Sequence, residues 1–200
     1  MTRIAINIVL LPSKKMGSQI IEINKELLKT NMNKIILGKI VNQPHISLCM
    51  GSVNENKIPQ IIESIDEISN NFTQFNFEGK LNVQTVSTSE NISWLEIINK
   101  DKIQKLHETV MKTIWKYLNY DIESYMLVNP QDVDEKTISW IKQYSNIYKN
   151  PSLFRPHITV GIGGNIKLDR IFNFSSSKIA IFQLGNYCTC KKLIYSTNLN

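Results

Sequence analysis

The feature that most constrains this chain is an octapeptide that occurs twice. Pro44-His45-Ile46-Ser47-Leu48-Cys49-Met50-Gly51 matches Pro156-His157-Ile158-Thr159-Val160-Gly161-Ile162-Gly163. Pro, His, Ile and the final Gly are identical, while Ser/Thr, Leu/Val and Met/Ile are chemically equivalent. The chain has 200 residues and three histidines, and two of the three occupy the same slot of this repeat, at positions 45 and 157. A repeat at about half the chain length implies two related halves, each giving one strand to a shared site. Strand alternation puts His45, Ser47 and Cys49 on one face, and Ile46, Leu48 and Met50 on the other. His157 and Thr159 share a face in the same way, over a core side made by Ile158 and Val160. Pro44 and Pro156 remove a backbone donor where each strand begins, which suits an edge or a strand start beside a cleft. Gly51 reads as the end of the first of these strands.

Histidine and hydroxyl two residues apart on a strand stand ~6–7 Å apart. Two such pairs facing each other form a set of two imidazoles and two hydroxyls, which fits phosphodiester chemistry. A neutral imidazole takes a proton from the attacking oxygen, and an imidazolium gives one to the leaving oxygen. The hydroxyls donate to non-bridging phosphate oxygens, where charge accumulates. His45 and His157 are therefore the candidate catalytic residues and Ser47 and Thr159 the candidate phosphate donors, with no metal and no cofactor required.

The remaining sequence reads as alternating strands and helices. Ile4–Leu11 reads as a buried strand, Gly17–Lys29 as a helix, and the stretch after a cap at Asn54 as a helix with Ile58, Ile61, Ile62, Ile65 and Ile68 on one stripe. Phe72 to Asn99 reads as two or three strands with turns near Gly79 and Ser89–Asn91. A helix starting at Asp101 carries Ile103, Leu106, Val110, Ile114 and Leu118 inward, with His107 at the border of that stripe as a structural residue. Within Tyr120–Pro151 a helix is expected over Glu135–Tyr148, burying Ile138, Ile141 and Tyr144. Phe154–Ile162 reads as a strand, Leu168–Phe172 as a short helix, and Lys178–Leu184 and Lys191–Ser196 as strands. This mixed order argues for an α+β fold with two half-domains, not a doubly wound parallel sheet.

Composition agrees with a folded core: 42% of residues are hydrophobic and 20% charged. The longest apolar run, Ile4 to Leu11, contains Asn7 and stops at Pro12, far short of the ~20 residues of a membrane span. It lacks a small-residue cleavage site, so no signal peptide is expected. Cys49, Cys188 and Cys190 make no disulfide framework and no zinc-ligand spacing, which points to a reduced, cytoplasmic chain. The net charge of +6 is scattered and biases the chain only mildly toward anionic partners. Arg155 and the Lys14–Lys15 pair read as solvated cations. Trp94, Phe154, Tyr187 and Tyr195 are candidates to stack on a nucleobase.

Two His-x-Ser/Thr tripeptides, His45-Ile46-Ser47 and His157-Ile158-Thr159, flanked by hydrophobics and half a chain apart, resemble the 2H phosphoesterase superfamily. The resemblance is to its 2′-5′ RNA ligase/cyclic phosphodiesterase branch and covers nearly the whole length, although Tyr120–Pro151 has no clear counterpart. It implies one bilobal domain over residues 1–200, with a His-x-Ser half at roughly 1–100 and a His-x-Thr half at roughly 101–200. It also implies two pseudo-symmetric lobes, each an antiparallel or mixed sheet with helices outside, around a central cleft. The implied activity is metal-independent cleavage of 2′,3′-cyclic phosphate or 2′-5′ phosphodiester bonds. Implied partners are RNA ends or small nucleotides, with no membrane, and the chain is expected to act as a monomer. The alternatives are degradation of a nucleotide second messenger, such as a 2′-5′ oligoadenylate or cyclic oligonucleotide, and a nucleotide-binding module without useful catalysis.

Overall fold

The computed structural model describes residues 2–29, 33–85, 91–162 and 169–200. Its strands are β1 (Arg3–Leu11), β2 (Ile46–Asn54), β3 (Phe75–Thr85), β4 (Asn91–Ile97), β5 (His157–Ile162), β6 (Ile171–Ser176), β7 (Lys178–Leu184) and β8 (Cys190–Asn198). The helices are α1 (Lys14–Leu28), α2 (Ile58–Ser69), α3 (Asp101–Ile114), α4 (Glu135–Lys142) and α5 (Tyr144–Lys149). Among the described residues all eight strands join one antiparallel, curled sheet in the order β6-β3-β4-β5-β2-β1-β7-β8. The fold is α+β, as the order of elements predicts.

The sheet has a pseudo-twofold centre. β2 and β5 meet through one pair, Ile46↔Ile158, and the strands on either side correspond outward as β1 to β4, β7 to β3 and β8 to β6. The half-sheet around β2 draws on both ends of the sequence, through β1, β7 and β8, while β3, β4 and β6, all from the stretch of chain between β2 and β7, complete the one around β5. The irregularities correspond as well. Val9 and Ile8 pair with Ser47 and Cys49, leaving Leu48 as an extra residue, and Trp94 and Ser93 pair with Thr159 and Gly161, leaving Val160 extra.

One face of the sheet is covered by α1 and α3, whose apolar stripes recur at three- and four-residue spacing: Met16, Ile20, Ile23, Leu27 and Ile103, Leu106, Val110, Ile114. The helices cross over, α1 packing on β5 and α3 on β2. His107 is fully buried in α3 rather than at the border of the stripe. Its Nδ1 lies 2.7 Å from the Leu48 carbonyl. On α1, fully buried Asn24 donates to the Val160 carbonyl at 2.7 Å. The extra residue of each motif strand is thus held by a polar side chain from the helix of the other half.

Several expectations are corrected. β2 does not end at Gly51 but runs to Asn54, and Gly79 lies inside β3 rather than at a turn. Both glycines mark close approach: a Cβ would meet Leu118 at 3.0 Å from Gly51 and Leu95 at 2.8 Å from Gly79. Of the expected short helix at Leu168–Phe172, Ile171 and Phe172 instead open β6, where Phe172, Phe174 and Ser176 alternate inward against β3. The helix expected over Glu135–Tyr148 is broken at Gln143 into α4 and α5, burying Ile141 and Tyr144, with Ile138 half-buried. Asn54 precedes a 3-10 turn, Glu55–Lys57, and makes no side-chain cap. Part of the expected Ser89–Asn91 turn, Gly163-Gly164 and Leu168 lie outside the described residues. No described helix is long and apolar enough to cross a membrane.

Candidate active site

The Ile46↔Ile158 pair brings the two motifs together. Extended by one residue each way, its antiparallel register sets His45 against Thr159 and Ser47 against His157. Only the one pair is formed, so the strands diverge there and leave a hollow between the halves. All four residues are half-buried and line one cavity of about 610 Å³, within the usual range for small-molecule sites. Ile46, Leu48, Ile158 and Val160 are fully buried on the other side of the strands.

The two imidazoles are held alike. His45 Nδ1 lies 2.7 Å from the Gln43 carbonyl, and His157 Nδ1 lies 2.7 Å from the Arg155 carbonyl. A carbonyl only accepts, so Nδ1 carries the proton in both rings and Nε2 is the nitrogen left for the cavity. Burial drives the pKa of His45 down to about 4, against the pull of its Gln43 hydrogen bond and with a further push from His157. Burial also lowers that of His157, opposed by its Arg155 hydrogen bond and by Glu96. Both rings are therefore neutral near pH 7, and an anion placed between them favours the protonated form. Ser47 Oγ accepts from Asn7 Nδ2 at 2.8 Å.

Cys49 does not share the face of His45. The bulge at Leu48 reverses the alternation: Cys49 pairs with Ile8 and is fully buried toward the helices, while Met50 pairs with Asn7 and lines the cavity. At the corresponding position, Gly161 lies under α1, where a Cβ would stand 2.6 Å from Leu27 Cδ1.

Of the other sequence candidates, Trp94, Phe154, Arg155 and Tyr187 line the cavity. Among the described residues that line it, Arg155 is the only Lys, Arg, Asp or Glu. Tyr195 does not line it and instead donates to Asp66 Oδ1 at 2.5 Å, while Lys14 and Lys15 sit at the start of α1 away from it. A wall that the sequence did not disclose comes from α4 and α5, through Trp140, Gln143, Tyr144 and Asn146. It is clamped to the turn after β7 by Asn186, whose Oδ1 accepts from the Asp134 amide (3.0 Å) and the Thr137 hydroxyl (2.7 Å). The neighbouring Tyr187 and Cys188 both take left-handed backbone angles, φ 55° and 54°, which non-glycine residues rarely adopt. Burial pushes the Cys188 thiol up to about 12 and holds the Cys190 thiol well above its usual value, so both are neutral lining groups. Among the described residues no three His, Cys, Asp or Glu side chains cluster as metal ligands.

Solved structures match this fold over 98–100% of the chain. E. coli LigT in complex with ATP superposes with a TM-score of 0.61 at 10% identity, covering 100% of this chain and 99% of LigT. The chain has the LigT fold. LigT with 3′-AMP gives a TM-score of 0.56 at 10% identity, again over 100% and 99%. TT0787 of Thermus thermophilus gives 0.61 at 12% identity over 98% of each chain. LigT and TT0787 are both 2H phosphoesterase family members, so the resemblance read from the paired tripeptides holds at the level of fold. No protein-family model and no curated protein matches the sequence. The match to LigT spans the segment from Tyr120 to Pro151 as well, which lies within the aligned length.

Proposed function

We propose that this chain is a metal-independent phosphodiesterase that cleaves RNA-type 2′,3′-cyclic phosphate or 2′-5′ phosphodiester bonds by acid–base catalysis between His45 and His157. The observation that carries this reading is the meeting of two equivalent imidazoles in one cavity, each with Nδ1 tied back to the carbonyl two residues before it. The ATP and 3′-AMP bound by LigT, whose fold the chain shares, agree with a nucleotide in that cavity. One Nε2 removes the proton of an attacking water or ribose hydroxyl as its oxygen bonds to phosphorus. The other Nε2, protonated beside the bound anion, delivers a proton to the departing ribose oxygen. Ser47, fixed by Asn7, and Thr159 on the opposite strand donate to the non-bridging oxygens. Arg155 supplies fixed positive charge at the rim, and the aromatic lining gives a base a surface to stack on.

A panel of 2′,3′-cyclic nucleotides, 2′-5′ dinucleotides, 2′-5′ oligoadenylates and cyclic dinucleotides, run in chelator-treated buffer, tests the reading and separates RNA ends from signalling nucleotides. His45→Ala and His157→Ala should each cost ~10²–10⁴-fold in turnover. Near-wild-type turnover by either variant refutes the two-histidine mechanism. Tight, salt-sensitive binding without cleavage of any member makes the chain a binding module instead.

A further inference from the structure

The pseudo-twofold frame makes the backbones of the two motifs equivalent, but the strands beside them are not. Aligning the pairings Val9↔Ser47 and Leu10↔Ile46 with Trp94↔Thr159 and Leu95↔Ile158 makes Val9 the counterpart of Trp94 and Leu11 the counterpart of Glu96. Glu96 is the register partner of His157. Its Oε2 accepts from Asn82 Nδ2 at 2.6 Å, which holds the carboxylate on this face. The Trp94 ring lies 4.4 Å from the His157 ring, centroid to centroid, at 38°. A carboxylate and an indole face each stabilise a neighbouring imidazolium. His45 has aliphatic side chains at both equivalent places.

Building on the two-histidine reading, we propose that His157 is the general acid and His45 the general base, with Glu96 and Trp94 as the positioning residues that decide between them. The charged groups around the two rings agree. His157 has Glu96 on β4, His45 on β2 and the exposed Arg155 on its own lead-in. Among the described residues of the cavity wall, the titrating partner facing His45 is His157, because α4 and α5 present Trp140, Gln143, Asn146 and a Tyr144 hydroxyl kept neutral by burial, and the turn after β7 and the start of β8 present neutral thiols. On a 2′-5′ linkage, His45 Nε2 takes the proton of the neighbouring 3′-hydroxyl as that oxygen bonds to phosphorus. The bond from phosphorus to the 5′-oxygen then breaks, its electron pair stays on that oxygen, and His157 Nε2 supplies the proton. The products are a 2′,3′-cyclic phosphate and a free 5′-hydroxyl, with the proton now on His45.

Two substrates with the same nucleoside test the assignment: a 2′-5′ dinucleotide, whose leaving oxygen needs a proton, and the nucleoside 2′-(p-nitrophenyl phosphate), whose nitrophenolate departs without one. His157→Ala should lose ~10²–10⁴-fold on the dinucleotide but stay within about tenfold of wild type on the nitrophenyl ester. His45→Ala should lose that much on both. Rescue of His45→Ala rather than His157→Ala by the activated ester overturns the assignment while leaving the two-histidine reading intact, and so does equal loss by both variants on both substrates. Full activity of both variants on both substrates removes the two-histidine reading itself. As an independent readout, Glu96→Gln should move the alkaline limb of the kcat/KM profile to lower pH and leave the acid limb in place. Movement of the acid limb instead refutes the role given to Glu96.

Discussion

The bond from His107 to the Leu48 carbonyl gives a prediction that separates packing from positioning. His107 is fully buried, its ring stacks on Phe154 at 3.8 Å and 2°, and its Nδ1–H reaches the carbonyl of the extra residue in the His45 strand. His107→Phe keeps a ring against Phe154 but strands that carbonyl without a donor, a loss of about 1–3 kcal/mol. His107 Nε2 has no partner either, and removing it offsets part of the cost. A shift of ~2–4 °C in Tm per kcal/mol applies at this chain length, so melting should fall by a few degrees. Turnover should fall further, by roughly ten- to a hundredfold, because the freed bulge lies directly after Ser47. His107→Asn is the opposite trade: its amide reaches as Asn24 does in the other half, but the stack is gone. It should melt at a lower temperature than wild type yet keep most of kcat. Thermal melts and steady-state kinetics on the two variants decide the matter. Full kcat in His107→Phe together with loss in His107→Asn refutes the clamp and leaves His107 a packing residue. Acid supplies a second check. Burial holds the His107 pKa below its usual value, so its stabilisation is complete above the unfolded pKa of ~6.5 and is lost as pH falls below it. The stability gap between wild type and His107→Phe should therefore narrow in acid.

With both motif histidines lowered by burial, the kcat/KM bell should lie on the acid side of an ordinary histidine, its alkaline fall already under way below pH ~6.5. A profile flat from about pH 5 to about pH 9 is incompatible with this pair. Gly161→Ala drives a methyl against Leu27 and should cost about 1–3 kcal/mol in chemical denaturation. That cost should shrink in a Leu27→Ala background, and simple additivity would show that the contact is not its source. Trp140→Ala should raise KM for nucleotides by about five- to a hundredfold with little change in kcat, since base–aromatic contacts contribute ~1–3 kcal/mol each. An unchanged KM removes α4 from the binding surface.

Local pattern carried the sequence reading as far as local pattern reaches. The octapeptide repeat, the alternation at Ile46, Leu48, Ile158 and Val160, and the helical stripes of α1 and α3 are all properties of contiguous residues. The failures arise where a partner strand decides. Period-two counting puts Cys49 beside His45, yet one extra residue against β1 reverses the face, and nothing in the octapeptide signals the bulge. Phe172 and Phe174 are two residues apart and read as strand only once β3 is beside them. The wall from α4 and α5 is not legible because Tyr144 falls on the expected core stripe with Ile138 and Ile141, and the Asn186 clamp that ties α4 beside the cavity joins residues about fifty positions apart. The same reasoning explains why a repeat alone leaves the direction of the reaction open. A repeated backbone gives each histidine the same carbonyl, the same bulge and a buried clamp, so it can make two equivalent imidazoles but cannot rank them. Ranking requires unlike neighbours, and these enter through β1 and β4, which lie outside the repeat: Val9 and Leu11 on one side, Trp94 and Glu96 on the other. The double exchange Glu96→Leu with Trp94→Val should therefore erase most of the difference in pKa between the rings, read by NMR titration of the two imidazoles. Persistence of the full difference would place its origin in the wall over His45 instead.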